Sequence, residues 1–272
     1  MDLSLNKSQI GVQTVGRAMQ LVRFLSSRNK EGARLTDIVE YSGLSKPTVY
    51  RLIKELMACG MVMQAANRRY HLGHFAYELG LVAASNFNLR DICEPSLNRL
   101  AEITGDTVFL TVRSGDDSFC LDRKTGHFPV KVFSLEIGHR QPLGVGAAGL
   151  ALLSQIPENE MKIIIQNNER FLGSYGGMNG ENLLRLAQNA RKAGYSFLSD
   201  FAIPGVSGIG MAVVDMMGYP VLSLSVTTIS SRMTLSHQNE ARNALQKEVV
   251  HLRNLLCRQN PLLLNKKQST CV

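Results

Sequence analysis

The stretch that decides how this chain is read runs Leu35-Thr36-Asp37-Ile38-Val39-Glu40-Tyr41-Ser42, then Gly43-Leu44, then Ser45-Lys46-Pro47-Thr48-Val49-Tyr50-Arg51-Leu52-Ile53-Lys54-Glu55-Leu56-Met57. Two short amphipathic segments meet at a glycine-marked turn. Thr36 is expected to cap the first and Ser45 the second, with Pro47 in a first turn where its missing amide hydrogen does no harm. In the second segment Val49, Leu52, Ile53 and Leu56 recur on one face, and Lys46, Thr48, Tyr50, Arg51 and Lys54 are left for the other. Short polar side chains near a helix start, flanked by cations, suit base edges and phosphates. A solvated surface helix would carry the same charges. The preceding helix, turn and cap together favour a helix-turn-helix that enters a DNA groove.

The flanks extend this reading. Upstream, Val15, Ala18, Met19, Leu21, Val22 and Leu25 recur at helical spacing, with Thr14 as a candidate cap. Downstream, the stretch from Met61 to Gly73 reads as two short apolar-alternating strands around a small-residue tip with Asn67 and predicts a β-hairpin, whose Arg68-Arg69 pair is placed to grip phosphate or reach into the minor groove. Residues 10–73 thus read as a winged helix-turn-helix. Charge agrees: residues 1–90 hold 12 Lys+Arg and 6 Asp+Glu, net +6, of a chain total of +8. A basic excess confined to one third of the chain suggests a polyanionic partner there.

Three blocks carry a family resemblance: Val12-Gln13-Thr14-Val15-Gly16-Arg17-Ala18, Leu44–Leu52, and Arg69-Tyr70-His71-Leu72-Gly73. Their order and spacing resemble the DNA-binding domain of IclR-type bacterial transcriptional regulators. The resemblance continues in an apolar segment from Phe75, which looks like the family's linker helix (74–89), an element that also joins protomers. It reaches about residue 255 through Gly138–Leu143, the small-residue run from Gly146, Gly194-Tyr195, and Leu224–Thr227 with Arg232-Met233-Thr234.

Within 90–260, strand-like runs at 107–113, 118–124 and 130–134 precede helical patterns at 146–155, 158–167 and 179–193. Strands return at 195–199, 207–215 and 219–227, and a helix at 237–256 closes the pattern. Strands, then helices, then hairpin strands predict an antiparallel sheet with helices on its faces. The fold class is therefore α+β: a winged helix-turn-helix, a linker helix, and what the resemblance implies is a GAF-like effector-binding domain. Residues 261–272 read as a disordered tail.

The resemblance also implies an effector pocket at Phe133 (an apolar wall), Ala147 and Ala148 (backbone at a helix start), Asp200, Gly208, Ser225 and Thr227. Many members have a cysteine where Gly208 stands. Ser225 and Thr227 are two apart on a strand and share one face. Two readings stay open for them, ligand contact and hydrogen bonding within the sheet. Exposed amides at a helix start favour an anion, so a carboxylate effector is expected.

Other chemistry finds little support. Gly144-Val145-Gly146-Ala147-Ala148-Gly149 spells the dinucleotide fingerprint, but Arg140-Gln141-Pro142 before it does not suit the central strand that the fingerprint requires. The six histidines lack metal-ligand spacing, no G-x-S-x-G elbow occurs, and Asp116-Asp117 reads as a turn. The five scattered cysteines fit neither a disulfide framework nor a zinc site. No cofactor or metal is expected. With no apolar run of membrane-spanning length and no signal-peptide layout, a cytoplasmic location follows.

The sequence thus predicts a DNA-binding regulator, a homodimer or dimer of dimers on operator DNA, controlled by a small organic acid. Ser45, Lys46, Pro47, Thr48, Tyr50, Arg51, Lys54, Arg68 and Arg69 are its candidate DNA contacts. The alternative is a small-molecule enzyme that uses its winged helix for protein contacts.

Overall fold

A computed structural model describes residues 13–84 and 88–259. The expected tail at 261–272, Cys271 and Val12 of the first family block lie outside the described residues. The chain divides into two compact units between Asn88 and Leu89.

The first unit opens with α1 (Gln13–Ser27), α2 (Leu35–Ser42) and α3 (Lys46–Ala58), followed by β1 (Val62–Gln64), β2 (Tyr70–Leu72) and α4 (His74–Ala84). Leu21 and Leu25 of α1, Ile38 of α2, and Val49 and Ile53 of α3 are essentially inaccessible and form one core with Val62 and Tyr70 of the hairpin. Each such side chain contributes on the order of 1.5–3 kcal/mol when buried. Two caps differ from expectation. Helix α1 already runs at Gln13, so Thr14 lies inside its first turn. Helix α2 starts at Leu35, and Asp37 rather than Thr36 serves its start, accepting from the Arg34 amide at 2.9 Å. Gly43 ends α2 in the left-handed region (φ 66°), and its amide closes on the Val39 carbonyl at 3.0 Å.

The second unit holds α5 (Leu89–Thr104), β3 (Thr107–Ser114), β4 (Asp117–Thr125), β5 (Arg140–Pro142), α6 (Gly146–Gln155), α7 (Glu158–Leu172) and α8 (Gly180–Ala193). It continues with β6 (Ser196–Ser199), β7 (Val206–Val214), β8 (Pro220–Ile229) and α9 (Leu235–Gln259). The six strands form one antiparallel sheet in the order β5-β4-β3-β8-β7-β6. Helices α5 and α9 pack on one face through Leu97, Leu100, Leu245 and Leu252 against Val108, Leu110, Leu224 and Val226. A second core joins α6, α7 and α8 through Leu150, Leu153, Ile164 and Leu183. Asp106, just before β3, is fully buried and bonds Arg232 at 2.9 Å and His237 at 2.5 Å, which ties the start of α9 to the sheet.

The expected strand at 130–134 does not form. The Val132 amide donates to the Thr107 hydroxyl at 3.2 Å and the Lys131 ammonium donates to the carbonyls of Gly126 and Phe128, so side chains replace a strand ladder. The third strand of that half is instead β5, whose Pro142 is accommodated on the sheet edge. Its antiparallel pairing also removes the parallel unit that the glycine fingerprint would need. Among the described residues no helix is long and apolar enough to cross a membrane, and no cluster of three potential metal ligands occurs.

Candidate functional site

Helix α3 presents its polar face outward. Ser45, Lys46, Pro47, Tyr50, Arg51 and Lys54 are exposed and Thr48 is half-buried, while Val49, Ile53 and Leu56 point into the core. Ser45 occupies the N-cap position, but its hydroxyl pairs with that of Thr48 at 2.8 Å and caps no backbone amide. The amides at the start of α3 therefore lack a side-chain partner from Ser45, and a phosphate oxygen is the natural acceptor for such groups.

The hairpin separates the two arginines of the wing. Arg68 stands exposed at the tip in the left-handed region (φ 61°), next to an Asx-type turn in which Asn67 accepts from the Arg69 amide at 3.0 Å. Arg69 turns back, and its guanidinium donates to the Gly32 carbonyl at 3.1 Å. Ala33 pairs with Tyr70, and Asn29 accepts from the Leu72 amide at 2.8 Å, so the loop after α1 braces the base of the wing. Gly73 allows a close approach at the foot of the wing: a Cβ there would lie 2.0 Å from the Gly60 carbonyl oxygen.

In the second unit a cavity of about 110 Å³ lies between the sheet and the start of α6. Ala147, Ala148, Gly208, Ser225 and Thr227 all line it. Helix α6 is drawn close to the strands because Ser196 Oγ donates to the Ala147 carbonyl at 2.6 Å and Ser223 Oγ to the Ala148 carbonyl at 3.0 Å. Close approach also requires Gly210, whose added Cβ would meet the Ala147 oxygen at 2.7 Å. Val145 precedes α6 without capping it, so the first-turn amides carry the helix's partial positive charge unquenched. The lining contains no charged side chain. Phe109, Tyr175 and Phe201 supply aromatic wall, and burial, followed by the Asp117 charge, raises the Tyr175 phenol above its ordinary pKa.

Two expected pocket residues lie elsewhere. Phe133 is 59% exposed and stacks under the Arg123 guanidinium at 4.2 Å; without a strand at 130–134, Ser134 and Leu135 reach the cavity in its place. Asp200 is exposed at φ 57° and does not line the cavity. Its carboxylate accepts from Ser199 Oγ at 2.7 Å, Ser230 Oγ at 2.8 Å and the Gly205 amide at 2.8 Å. These bonds, that of Ser199 foremost, hold its pKa below the usual carboxylate value. They also close the loop whose Phe201, Ala202 and Ile203 form cavity wall. Asp200 thus closes the loop without itself lining the cavity. Tyr175 and the residues of that loop carry no periodic signal in sequence.

Among the described residues, Asp116 and the buried thiols form no catalytic arrangement. Asp116 bonds Asn167 at 2.9 Å in the β3–β4 turn. Burial pushes the thiols of Cys93 and Cys120 up to about 12, too high for a nucleophile near neutral pH.

Two family models match the sequence, the IclR helix-turn-helix domain over residues 14–66 and the bacterial transcriptional regulator IclR C-terminal domain over residues 81–252. The HTH-type transcriptional repressor AllR of Escherichia coli (strain K12) is 27% identical over 229 residues, which is 84% of this chain and 84% of that protein. Among solved structures, an IclR family transcriptional regulator from Brucella abortus superposes with a TM-score of 0.75 at 21% identity, covering 94% of this chain and 97% of that one. An IclR homolog from Microbacterium hydrocarbonoxydans, complexed with 4-hydroxybenzoate, gives a TM-score of 0.62 at 21% identity, over 89% and 99% of the two chains. At these identities the two structures establish a likeness of fold.

Proposed function

The chain belongs to the IclR family of bacterial transcriptional regulators, and from that premise we propose that it is a cytoplasmic repressor whose hold on operator DNA is set by a small carboxylic acid bound in the cavity beside α6. Regulation of transcription through a DNA-binding domain and an effector domain is the work of the family, which leaves the enzyme alternative without support. Repression follows the named role of AllR, and an acid effector is in keeping with the 4-hydroxybenzoate held by the Microbacterium homolog.

One observation carries the acid reading. The uncapped start of α6 faces a cavity whose lining has no charged side chain, so its amides are the strongest attraction there for a negative group. Ser225 and Thr227 add hydroxyls from the strand beneath. On the DNA side, α3 enters the major groove with Ser45, Lys46, Pro47, Thr48 and Tyr50 leading, Arg51 and Lys54 lie against phosphates, and Arg68 serves the wing. The apolar α4, with Tyr77, Leu79 and Leu81 exposed, supports a dimer. Two recognition helices then meet half-sites about 34 Å apart or at a multiple of that spacing. The acid changes operator affinity by its preference for one arrangement of the dimer over the other.

Gly208→Val tests the cavity. A Cβ at Gly208 already lies 3.1 Å from the Ala147 Cβ and 3.2 Å from Thr227 Oγ1, so the branched side chain fills space meant for ligand. The variant is expected to bind operator as the wild type does and to lose its response to 4-hydroxybenzoate and other carboxylates. A full response from the variant would place the effector elsewhere.

A further inference from the structure

We infer that the Thr111 hydroxyl reads a second polar group of the effector, so that the cavity selects an acid bearing a hydroxyl or similar hydrogen-bonding function over the same acid without it. This rests on the proposed reading of the cavity as the effector site. Among the described residues, the buried hydroxyls of Thr111 and Thr228 find no hydrogen-bond partner, and of these two only Thr111 lines the cavity. Thr111 is completely buried. A hydroxyl in that position costs stability unless something bonds it, and its conservation of shape with valine means that packing alone does not call for it.

The direction of the side chain follows from the sheet. Thr111 lies directly opposite Ser223 in the β3–β8 ladder, and directly opposed residues share one face. Ser223 bonds the Ala148 carbonyl of α6, so this is the face that α6 covers. Phe109, two residues earlier, lines the same cavity.

The neighbouring hydroxyls differ. Ser196 and Ser223 already donate to α6 carbonyls and so help to build the cavity. Thr111 contributes nothing of this kind and has both a donor and an acceptor to offer a ligand. The α6 amides meet the carboxylate, and Thr111 meets the group that distinguishes one acid from another. A hydroxylated acid gains the bond that Thr111 otherwise lacks, whereas with the analogue the Thr111 hydroxyl stays buried and unpaired, as it is without ligand.

The test compares the full-length wild type with Thr111→Val, using two matched pairs, lactate with propionate and 4-hydroxybenzoate with benzoate, titrated by calorimetry. In the pair that binds, the wild type is expected to favour the hydroxylated acid by about 10-fold or more. In Thr111→Val that preference should fall to within about 2-fold, with the unsubstituted acid bound as before. The variant's own thermal midpoint should stay level or rise, since an unpartnered buried hydroxyl has been removed. An undiminished preference in the variant, no preference in the wild type, or a lower midpoint without ligand would each overturn the role of Thr111, and binding of the unsubstituted acid would leave the cavity reading standing. Failure of all four acids to bind the wild type would overturn both.

Discussion

At the scale of single residues, neighbours of identical chemistry differ in what their side chains touch. Arg68 projects from the wing tip, whereas Arg69 donates to the Gly32 carbonyl. Arg68→Ala is expected to flatten the dependence of log affinity on log salt by about one unit, as one phosphate contact is lost. Arg69→Ala should instead lower the stability of the first unit by about 0.5–1.5 kcal/mol with a smaller change in slope. Thermal melts and salt titrations of both variants separate the roles; equal slope changes would contradict them. The Arg-Arg pair is visible in sequence, but its division of labour depends on the loop after α1, some 37 residues away. Asp200 makes a similar point. Because its folded pKa is depressed, its contribution is present above the unfolded value of about 3.9 and is lost as pH falls through the lower folded value. Protection from hydrogen exchange in residues 200–205, taken relative to the intrinsic rate at each pH, should therefore fall at acid pH in the wild type, and Asp200→Asn should show the lower protection already at neutral pH. Unchanged protection in that variant would remove Asp200 from the control of the cavity wall.

At the scale of elements, the helices were the most legible part. Helix α3 begins at Lys46 and buries the stripe read from its periodicity, with Leu52 partly buried beside Val49, Ile53 and Leu56. Its outward charges make a direct prediction: Lys54→Ala should weaken operator binding and reduce the salt slope by about one unit. If anisotropy titrations found both unchanged, α3 would not lie against the phosphates as proposed. Short or irregular elements were less legible. Val130-Lys131-Val132 alternates like a strand, yet the Val132 amide donates to the Thr107 hydroxyl and the Lys131 side chain donates to the carbonyls of Gly126 and Phe128. The three-residue β5 is too short to show a period. The cavity was half legible for the same reason. Ala147, Ala148, Gly208, Ser225 and Thr227 sit on regular elements and could be placed by resemblance, while Tyr175 and Phe201 come from loops. Thr111 was hidden differently: it reads as an ordinary strand residue until its missing partner is seen.

At the scale of the whole molecule, the two units divide the work in keeping with their charge. The first 90 residues carry net +6 of the chain's +8, which suits contact with a polyanion, and the second unit encloses a cavity lined without charged side chains. A regulator joins these tasks only if ligand has a different affinity for the DNA-bound and released arrangements, and the response cannot exceed that difference. The most direct test of this account is fluorescence anisotropy of the full chain with DNA from upstream of its own coding sequence, against a scrambled duplex at two salt concentrations. The account predicts specific binding at least about 10³-fold tighter than binding to the scrambled duplex, with both weakening as salt rises. Equal affinity for the two duplexes would contradict it.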